Sequence, residues 1–331
     1  MEFDISVVIC TRNRAASLRQ TLKCLAAADR TGLEVEIVVV DNGGTDSTTE
    51  VARVFEDTFS VRILFEPTEG IFGKSHALNR ALDEGHLGRI VAILDDDMSP
   101  HPDWFQGVAA ICRRWPDKDL FTGRSYVVWP ATPPSAFARS GILQTWMFSI
   151  MDLGDQDVPM GNGRWFSGNH FWFRSRCLET GIRFDDLWLT EPKFMLDLAE
   201  LGYEAVSCPD AMVGHRIQEN LMAESVIRDR AVKVGRSSAE VRLQPYRRTV
   251  KHAQFMNRHP LLGRMFCCAK VVQSAWGLLR AKLHTIAGER FVATVIALER
   301  FTYHVHLLRI ASGMGEYRIL SASITDRKSA G

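Results

Sequence analysis

RIVAILDDDMSPHPDW, residues 89–104, opens on an unbroken apolar run, Ile90-Val91-Ala92-Ile93-Leu94, and ends that run on three carboxylates, Asp95, Asp96 and Asp97. A short run without polar alternation reads as a strand buried on both faces of a sheet. Pro100 and Pro102 stop it from continuing. Adjacent acids repel one another, and the end of a buried strand tolerates three of them when a cation shares the site. Carboxylate oxygens suit hard divalent ions, Mg2+ or Mn2+, and Mg2+ commonly takes one or two carboxylates and completes its shell with substrate phosphates. In open α/β sheets, ligands bind beyond the carboxyl ends of the strands, where these acids sit. A solvated acidic turn is the plainer alternative.

Working outward, the same kind of run recurs at Ile5–Cys10, Val35–Val40 and Val61–Phe65, the last closed by Pro67. Helical spacing separates them. Leu18, Leu22 and Leu25 follow Thr11-Arg12-Asn13-Arg14, with Ser17 placed to cap. Val51, Val54 and Phe55 follow the Asp41-Asn42-Gly43-Gly44 turn, with Asp46 or Ser47 placed to cap. Ala77, Leu78, Ala81 and Leu82 follow a glycine-bearing loop at 70–73. Strands alternating with helices predict a mainly parallel sheet with right-handed crossovers. Beyond Trp104 come a helix with Val108 and Ile111, then a strand over Phe121–Trp129 broken by Pro130, Pro133 and Pro134. A polar segment at 154–163 reads as a mobile loop over the cleft. A strand is predicted at Trp165–Phe173 and a helix at Phe194–Leu201 stopped by Gly202. Two short extended pieces, Tyr203–Val206 and Met212–Val213, end at His215-Arg216.

The 331 residues are 46% hydrophobic and 24% charged, enough for one large globular domain with an appendage. The acidic start carries no signal-peptide pattern. Seven scattered cysteines form no CxxC pair, so buried thiols in a reducing cytosol are expected rather than disulfides or a zinc site. The net charge of +1 conceals a division: residues 226–331 hold 19 Lys and Arg against 6 Asp and Glu, and the remainder 21 against 33. From Ala223 on, the pattern becomes helical. One apolar stripe runs through Val271, Val272, Ala275, Leu278 and Leu279, and another through Phe291, Val295, Leu298, Phe301 and Leu308. Neither is long and apolar enough to span a bilayer. Basic amphipathic helices lie on anionic membrane surfaces, and a helical cap or a dimer surface are the alternatives. The expected division is a catalytic domain over 1–225 and a basic helical extension over 226–331.

ISVVICTRNRAASL, EIVVVDNGGTDST, GKSHALNRAL, VAILDDDMSPHPDW, FSGNHFWFRS and the stretch from Gly181 to His215 come in an order that resembles the family 2 glycosyltransferases, over roughly residues 3–240. The segment HRIQENLMAESVIRDRAVKVGRSSA resembles a common bacterial extension of that family. The resemblance implies the GT-A fold, a mixed, mainly parallel α/β sheet flanked by helices, here followed by a C-terminal α-helical extension. It implies a nucleotide-diphosphate sugar donor, most commonly of UDP, a divalent metal cofactor (Mn2+ or Mg2+), and inversion at the anomeric carbon. By position it assigns Thr11, Asn13, Asp41, Lys74, Asn79, Asp95 and Asp96 to donor binding and Asn169 to the acceptor side. Asp97, Asp95 and His215 fall to the metal. The family's catalytic base is an Asp in a Glu-Asp pair, and counting back from Gly202 puts Glu191, within Thr190-Glu191-Pro192, at that place.

The chemistry asks for these residue types. An acceptor hydroxyl is a poor nucleophile, so a carboxylate must take its proton, and a metal offsets the charge gained by the leaving diphosphate. Each residue has a plainer reading. Asp41 caps a turn, Lys74 is a solvated lysine, His215 bonds at a strand end, and Glu191 is an acid favoured by a helix N-terminus. Trp146, Trp165 and Trp172 read as core. A non-catalytic sugar-nucleotide-binding protein is the rival function. A nucleotidyltransferase would carry a glycine-rich loop where Thr11-Arg12-Asn13-Arg14 stands, and no GxGxxG follows a strand to suggest a dinucleotide enzyme. No nucleic-acid module accompanies the basic tail. The expected setting is peripheral, on the cytoplasmic face of the inner membrane, acting on a glycan or lipid-linked acceptor.

Overall fold

The structure is a computed structural model of the full chain, and it describes residues 3–65, 73–131, 140–160, 168–186, 188–242, 260–284 and 287–311. Its contacts divide the chain into two compact units, Met1–Ala223 and Glu224–Gly331.

In the first unit the apolar runs become strands β1 (Ile5–Thr11), β2 (Val35–Asp41), β3 (Ser60–Phe65) and β4 (Ile90–Leu94). They pair in parallel in the order β3-β2-β1-β4. Alternate side chains of each strand bury on opposite faces. Ile5, Val7, Ile9, Ile37, Val39, Ala92 and Leu94 pack with α1 (Ala15–Ala27), α2 (Thr48–Arg53) and α4 (Trp104–Arg114). Val8, Val38, Val40, Val91 and Ile93 pack with α3 (Lys74–Asp83) and α6 (Thr190–Glu200). Burial on both faces is why these runs lack polar alternation.

The order reverses between β1 and β4: β2 and β3 lie to one side of β1 and β4 to the other. The loops after β1 and β4 therefore flank a topological switch point, the usual place for a ligand. Beyond β4 the sheet continues with β8 (His170–Arg174), antiparallel, then β6 (Leu120–Val128), β9 (Ala205–Arg216) and β5 (Met98–Pro100). Strand β7 (Val158–Met160) also pairs with β9.

Several expectations change. Strand β4 ends at Leu94, before the acids and well before the prolines, and Pro100 is the last residue of β5, which among the described residues pairs with β9 alone, so a missing N–H costs no ladder bond. Ser17 does not cap α1; Asp46 accepts from Ala15 N at 2.9 Å and from Thr48 N at 3.1 Å, serving the starts of α1 and α2 together. Helix α2 stops at Arg53, leaving Val54 exposed. The two extended pieces before His215 are one strand of 12 residues. Its partner β6 shifts register between Gly123 and Ser125. There a Cβ on Gly123 would meet the Ala211 carbonyl oxygen at 1.8 Å. The segment expected as a loop from Gly154 contains β7, and Asp157 within it accepts from Arg114 and Trp115. Its last residues, together with Pro67, Pro133, Pro134 and Trp165, lie outside the described residues. Helix α5 (Gly141–Phe148) had no sequence signal of its own. All seven cysteines are free thiols.

The described residues of the second unit form helices α7 (Glu224–Arg242), α8 (Pro260–Ala281) and α9 (Ala287–Ala311). Helix α9 packs on both others, around Ala239, Cys267, Leu307 and Ile310. Gly235 of α7 lies where a Cβ would come 2.4 Å from the Glu299 carbonyl oxygen, so α7 and α9 meet backbone to backbone. In the α9 stripe Phe291 and Val295 are buried while Leu298, Phe301 and Leu308 are half-buried, so no residue of the stripe is fully exposed. No helix among the described residues is long and apolar enough to cross a membrane.

Candidate active site

The three acids after β4 part ways. Asp96 turns into the protein: Thr11 Oγ1 donates to its Oδ2 at 2.6 Å and Arg14 lies 2.8 Å from its Oδ1. Its carbonyl accepts from Ser17, Thr21 and Arg216 at 2.7–3.1 Å, so the backbone of the acidic loop is tied to α1 and to the end of β9. Burial pushes the Asp96 carboxyl up to about 6, with Arg14 and Thr11 offsetting part of the rise. Both of its oxygens are engaged inside the protein, a structural role rather than the donor contact expected for it.

Asp95 faces Lys74, at the first turn of α3. The Lys74 ammonium lies 2.5 Å from Asp95 Oδ1 and 2.5 Å from Glu191 Oε1, and donates to the Gly168 carbonyl at 3.3 Å. Burial opposes a charged lysine, but the two carboxylates outweigh it and hold its pKa above the ordinary range. Burial raises Asp95 even so, with Asp97 and Glu191 adding to the rise against Lys74. Glu191 sits in the first turn of α6, followed by Pro192, whose missing N–H falls among groups that have no helical partner there. Gly168 lies against it: a Cβ there would be 2.6 Å from the Glu191 Cδ. Only a glycine leaves room for the carboxylate in this position.

Asp97 and His215 form the third feature. Arg14 is 2.9 Å from Asp97 Oδ2. Burial would raise the Asp97 carboxyl, but His215 and Arg14 together hold it well below the usual carboxylate range. Asp97 Oδ1 is buried with no hydrogen-bond partner among the described residues, 3.5 Å from His215 Nε2. His215 Nδ1 lies 2.7 Å from the Phe148 carbonyl, with Asn169 Nδ2 at 3.3 Å. Donation from Nδ1 to that carbonyl turns Nε2 toward Asp97 Oδ1. A proton on Nε2 meets the carboxylate as a charge pair; without that proton the two face each other as acceptors, and a cation would suit them, the imidazole being steadied through its far nitrogen by a backbone carbonyl. No group of three or more His, Cys, Asp or Glu suited to a metal occurs among the described residues. An ion held by Asp97 and His215 alone would complete its shell with a substrate's phosphates.

The remaining residues divide. Asn13, at φ 54°, accepts from Thr45 N at 2.7 Å, and Asp41 accepts from Gly44 N at 2.8 Å, so the loops after β1 and β2 are locked side by side. Asn169 joins the His215 cluster. Asn79 is not brought to the cleft: its amide donates to the Phe184 carbonyl and accepts from Phe184 N, both at 2.8 Å. Sequence reading missed Arg14, Arg216 and Gly168. Arg14 had a signal, since three clustered acids call for a counter-charge and it stands three residues after Thr11. Arg216 and Gly168 had none, because their partners are far away in the chain.

The Glycosyl transferase family 2 profile matches residues 6–173, from β1 into β8. Among curated proteins, the chain is 34% identical over 109 residues to glycosyltransferase AglE of Haloferax volcanii, covering 32% of this chain and 35% of that one. It is 29% identical over 216 residues to the probable glycosyltransferase YdaM of Bacillus subtilis, covering 63% and 49%. The chain thus spans about a third of the first relative and half of the second. Among solved structures, mannosyltransferase PcManGT from Pyrobaculum calidifontis in complex with GDP-Man and Mn2+ superposes with a TM-score of 0.61 at 20% identity, over 93% of this chain and 88% of that one. S. aureus TarS 1-349 in complex with UDP-GlcNAc gives 0.51 at 15%, over 96% and 93%. At such identities the likeness is one of fold, a GT-A sheet flanked by helices with further helices after it. The profile covers half the chain, and within it lie β1, β4 and the three acids that open the site; the chain belongs to glycosyl transferase family 2.

Proposed function

We propose that this chain is a metal-dependent, inverting hexosyltransferase. It moves a sugar from a nucleotide-diphosphate donor to an acceptor hydroxyl in cell-surface polysaccharide or glycolipid synthesis. One observation carries this: the carboxylate at the base position, Glu191, and the first acid of the DxD pair, Asp95, share the Lys74 ammonium at 2.5 Å each. A residue able to take a proton from an acceptor thus stands beside the acids that face a donor.

Glu191 takes the proton of the acceptor hydroxyl while its oxygen bonds to the anomeric carbon and the carbon–oxygen bond to the diphosphate breaks. Attack opposite the leaving group inverts the centre. Lys74 keeps Glu191 aimed and stands where it can transfer its charge to the departing diphosphate. Asp97 and His215 would hold Mn2+ or Mg2+, with Arg14 beside Asp97 Oδ2; Asp95, expected to share the ion, is paired with Lys74 instead. When bound, such an ion supplies Lewis-acid stabilisation of the leaving group. Thr11, Asn13 and Asp41 frame the nucleotide, proposed as UDP, and Asn169 the acceptor side. Solved neighbours bound to UDP-GlcNAc, and to GDP-Man with Mn2+, support a nucleotide sugar and a divalent ion. The proposed acceptor is a glycan or lipid-linked saccharide, met by a cytoplasmic protein lying peripherally on the inner membrane face. The excess of 19 cationic over 6 acidic residues in 226–331 supports that setting.

The test is calorimetric titration of UDP, GDP and dTDP with Mn2+, with Mg2+ and with EDTA. Metal-dependent binding of one nucleotide is expected, weakened roughly 10–100-fold in Asp97→Ala. Glu191→Gln should keep that binding and lose about 10²–10⁴ of turnover. Folded protein that binds none of the three overturns the donor site, and undiminished turnover in Glu191→Gln removes the base.

A further inference from the structure

Helix α8 is inside out for a helix of a water-soluble unit. It buries its small residues, Gly263, Cys267, Ser274 and Ala281. Leu261, Met265, Val272, Trp276, Leu279 and, in the turn that follows, Leu283 are each 52–74% exposed. At about 100° and 1.5 Å per residue, the five helical ones fall within an arc of roughly 60° and run about 27 Å along the axis. This is a continuous apolar stripe, not scattered surface leucines.

Charge decides what covers it. From Pro260 to His284 there is no Asp or Glu, while Arg264, Lys270, Arg280 and Lys282 are present. By the same helical count, Arg264 and Lys282 border the stripe on one side and Arg280 on the other. A second copy laid on the stripe, in either direction, would bring cations against cations with no acid on α8 to pair them, whereas flanking acid–base pairs are what specify helix association. Anionic lipid headgroups would meet Arg280 and Lys282 with the opposite sign. Each cation near such a surface contributes about 1 kcal/mol, or roughly fivefold in partitioning. An indole within the stripe suits the boundary between headgroups and acyl chains.

We propose that the outer face of α8 is an in-plane docking surface for bilayers that contain anionic lipid. The stripe enters the acyl boundary, and Arg280 and Lys282 lie at the phosphates. This specifies the membrane partner proposed above and is independent of the transfer chemistry.

The experiment is co-sedimentation of the full chain with phosphatidylglycerol-containing vesicles and with pure phosphatidylcholine vesicles, at low and high salt. Two variants accompany it, Met265→Ser/Trp276→Ser/Leu279→Ser and Arg280→Gln/Lys282→Gln. All five side chains are exposed, so thermal unfolding should not move, and that measurement screens out misfolding. The wild type should pellet with the anionic vesicles alone. The charge variant should lose about 25-fold in partitioning, and the stripe variant should lose binding at both salt concentrations. Three results each overturn the assignment: folded wild type left in the supernatant with anionic vesicles, a stripe variant that binds undiminished, or a stripe variant that abolishes self-association in sedimentation velocity without altering vesicle binding. Nucleotide titration of the same preparations separates the two readings. Vesicle binding without nucleotide binding leaves the docking surface standing while the transferase reading falls.

Discussion

At the scale of single residues, the site is a set of charges that neutralise one another across the switch point. Lys74 is central because removing it leaves the Asp95 and Glu191 carboxylates without their shared cation. Lys74→Met should therefore lower turnover by about 10²-fold or more, and Lys74→Arg should recover part of it. Steady-state assays with each proposed donor check this; equal rates in Met and wild type would reduce Lys74 to a surface lysine. A second residue matters for stability. His170 is buried, accepts from Trp104 Nε1 at 2.8 Å, and has no partner for Nδ1 among the described residues. Burial pushes its pKa down to about 3. A depressed histidine contributes stability that is present in full above the unfolded-state value of about 6.5. It is lost as pH falls, because the unfolded chain takes the proton first. His170→Gln can still accept from Trp104 and carries no titratable group. Urea midpoints should show the wild type losing about 1.4 kcal/mol per pH unit relative to the variant between about pH 6.5 and 3. Parallel pH profiles for the two proteins would contradict this.

At the scale of elements, close backbone approach aims the side chains. The loop before β8 passes so near α6 that Gly168→Ala would place its Cβ 2.6 Å from the Glu191 Cδ. The Glu191 Cβ, 2.8 Å away, is fixed to α6, so the first turn of α6 must shift together with the carboxylate. The thermal midpoint should fall somewhat and nucleotide binding stay close to wild type, while turnover falls on the order of 100-fold from displacement of the base. A loss of nucleotide binding would mean that Gly168 shapes the donor pocket instead. Asn79 illustrates the opposite case. It lies on the helix that Lys74 begins, yet its amide is spent on Phe184 and fixes the segment leading to α6. Membership of a motif does not put a side chain in the cleft.

At the scale of the molecule, two compact units of opposite charge are joined in one chain. All the proposed donor ligands lie in the first, so a ligand that binds only the folded form should raise the unfolding transition of that unit by about 2.7 kcal/mol at 100 times its Kd. The helical unit's transition should stay where it was. Scanning calorimetry with and without nucleotide and Mn2+ reads this; a single transition that moves as a whole would mean the two units unfold together.

What the sequence by itself determined is local: the apolar runs that must be strands, the helical spacing between them, and the acids, glutamate and histidine at strand and helix ends. Their order sufficed to expect a mainly parallel α/β sheet, because strand burial and helix periodicity are written over a few residues; the family was expected from the resemblance of the ordered motifs. Only the tertiary structure decided that Asp96 faces inward while Asp95 and Asp97 face Lys74 and His215. It alone gave Asn79 to Phe184, set Gly168 against Glu191, and covered Phe291 and Val295 of the α9 stripe while leaving α8's outward. Neighbouring acids look alike in a string of letters. A helix's periodicity says that it has faces, but the partners that cover a face come from elsewhere in the chain, and only folding brings them there.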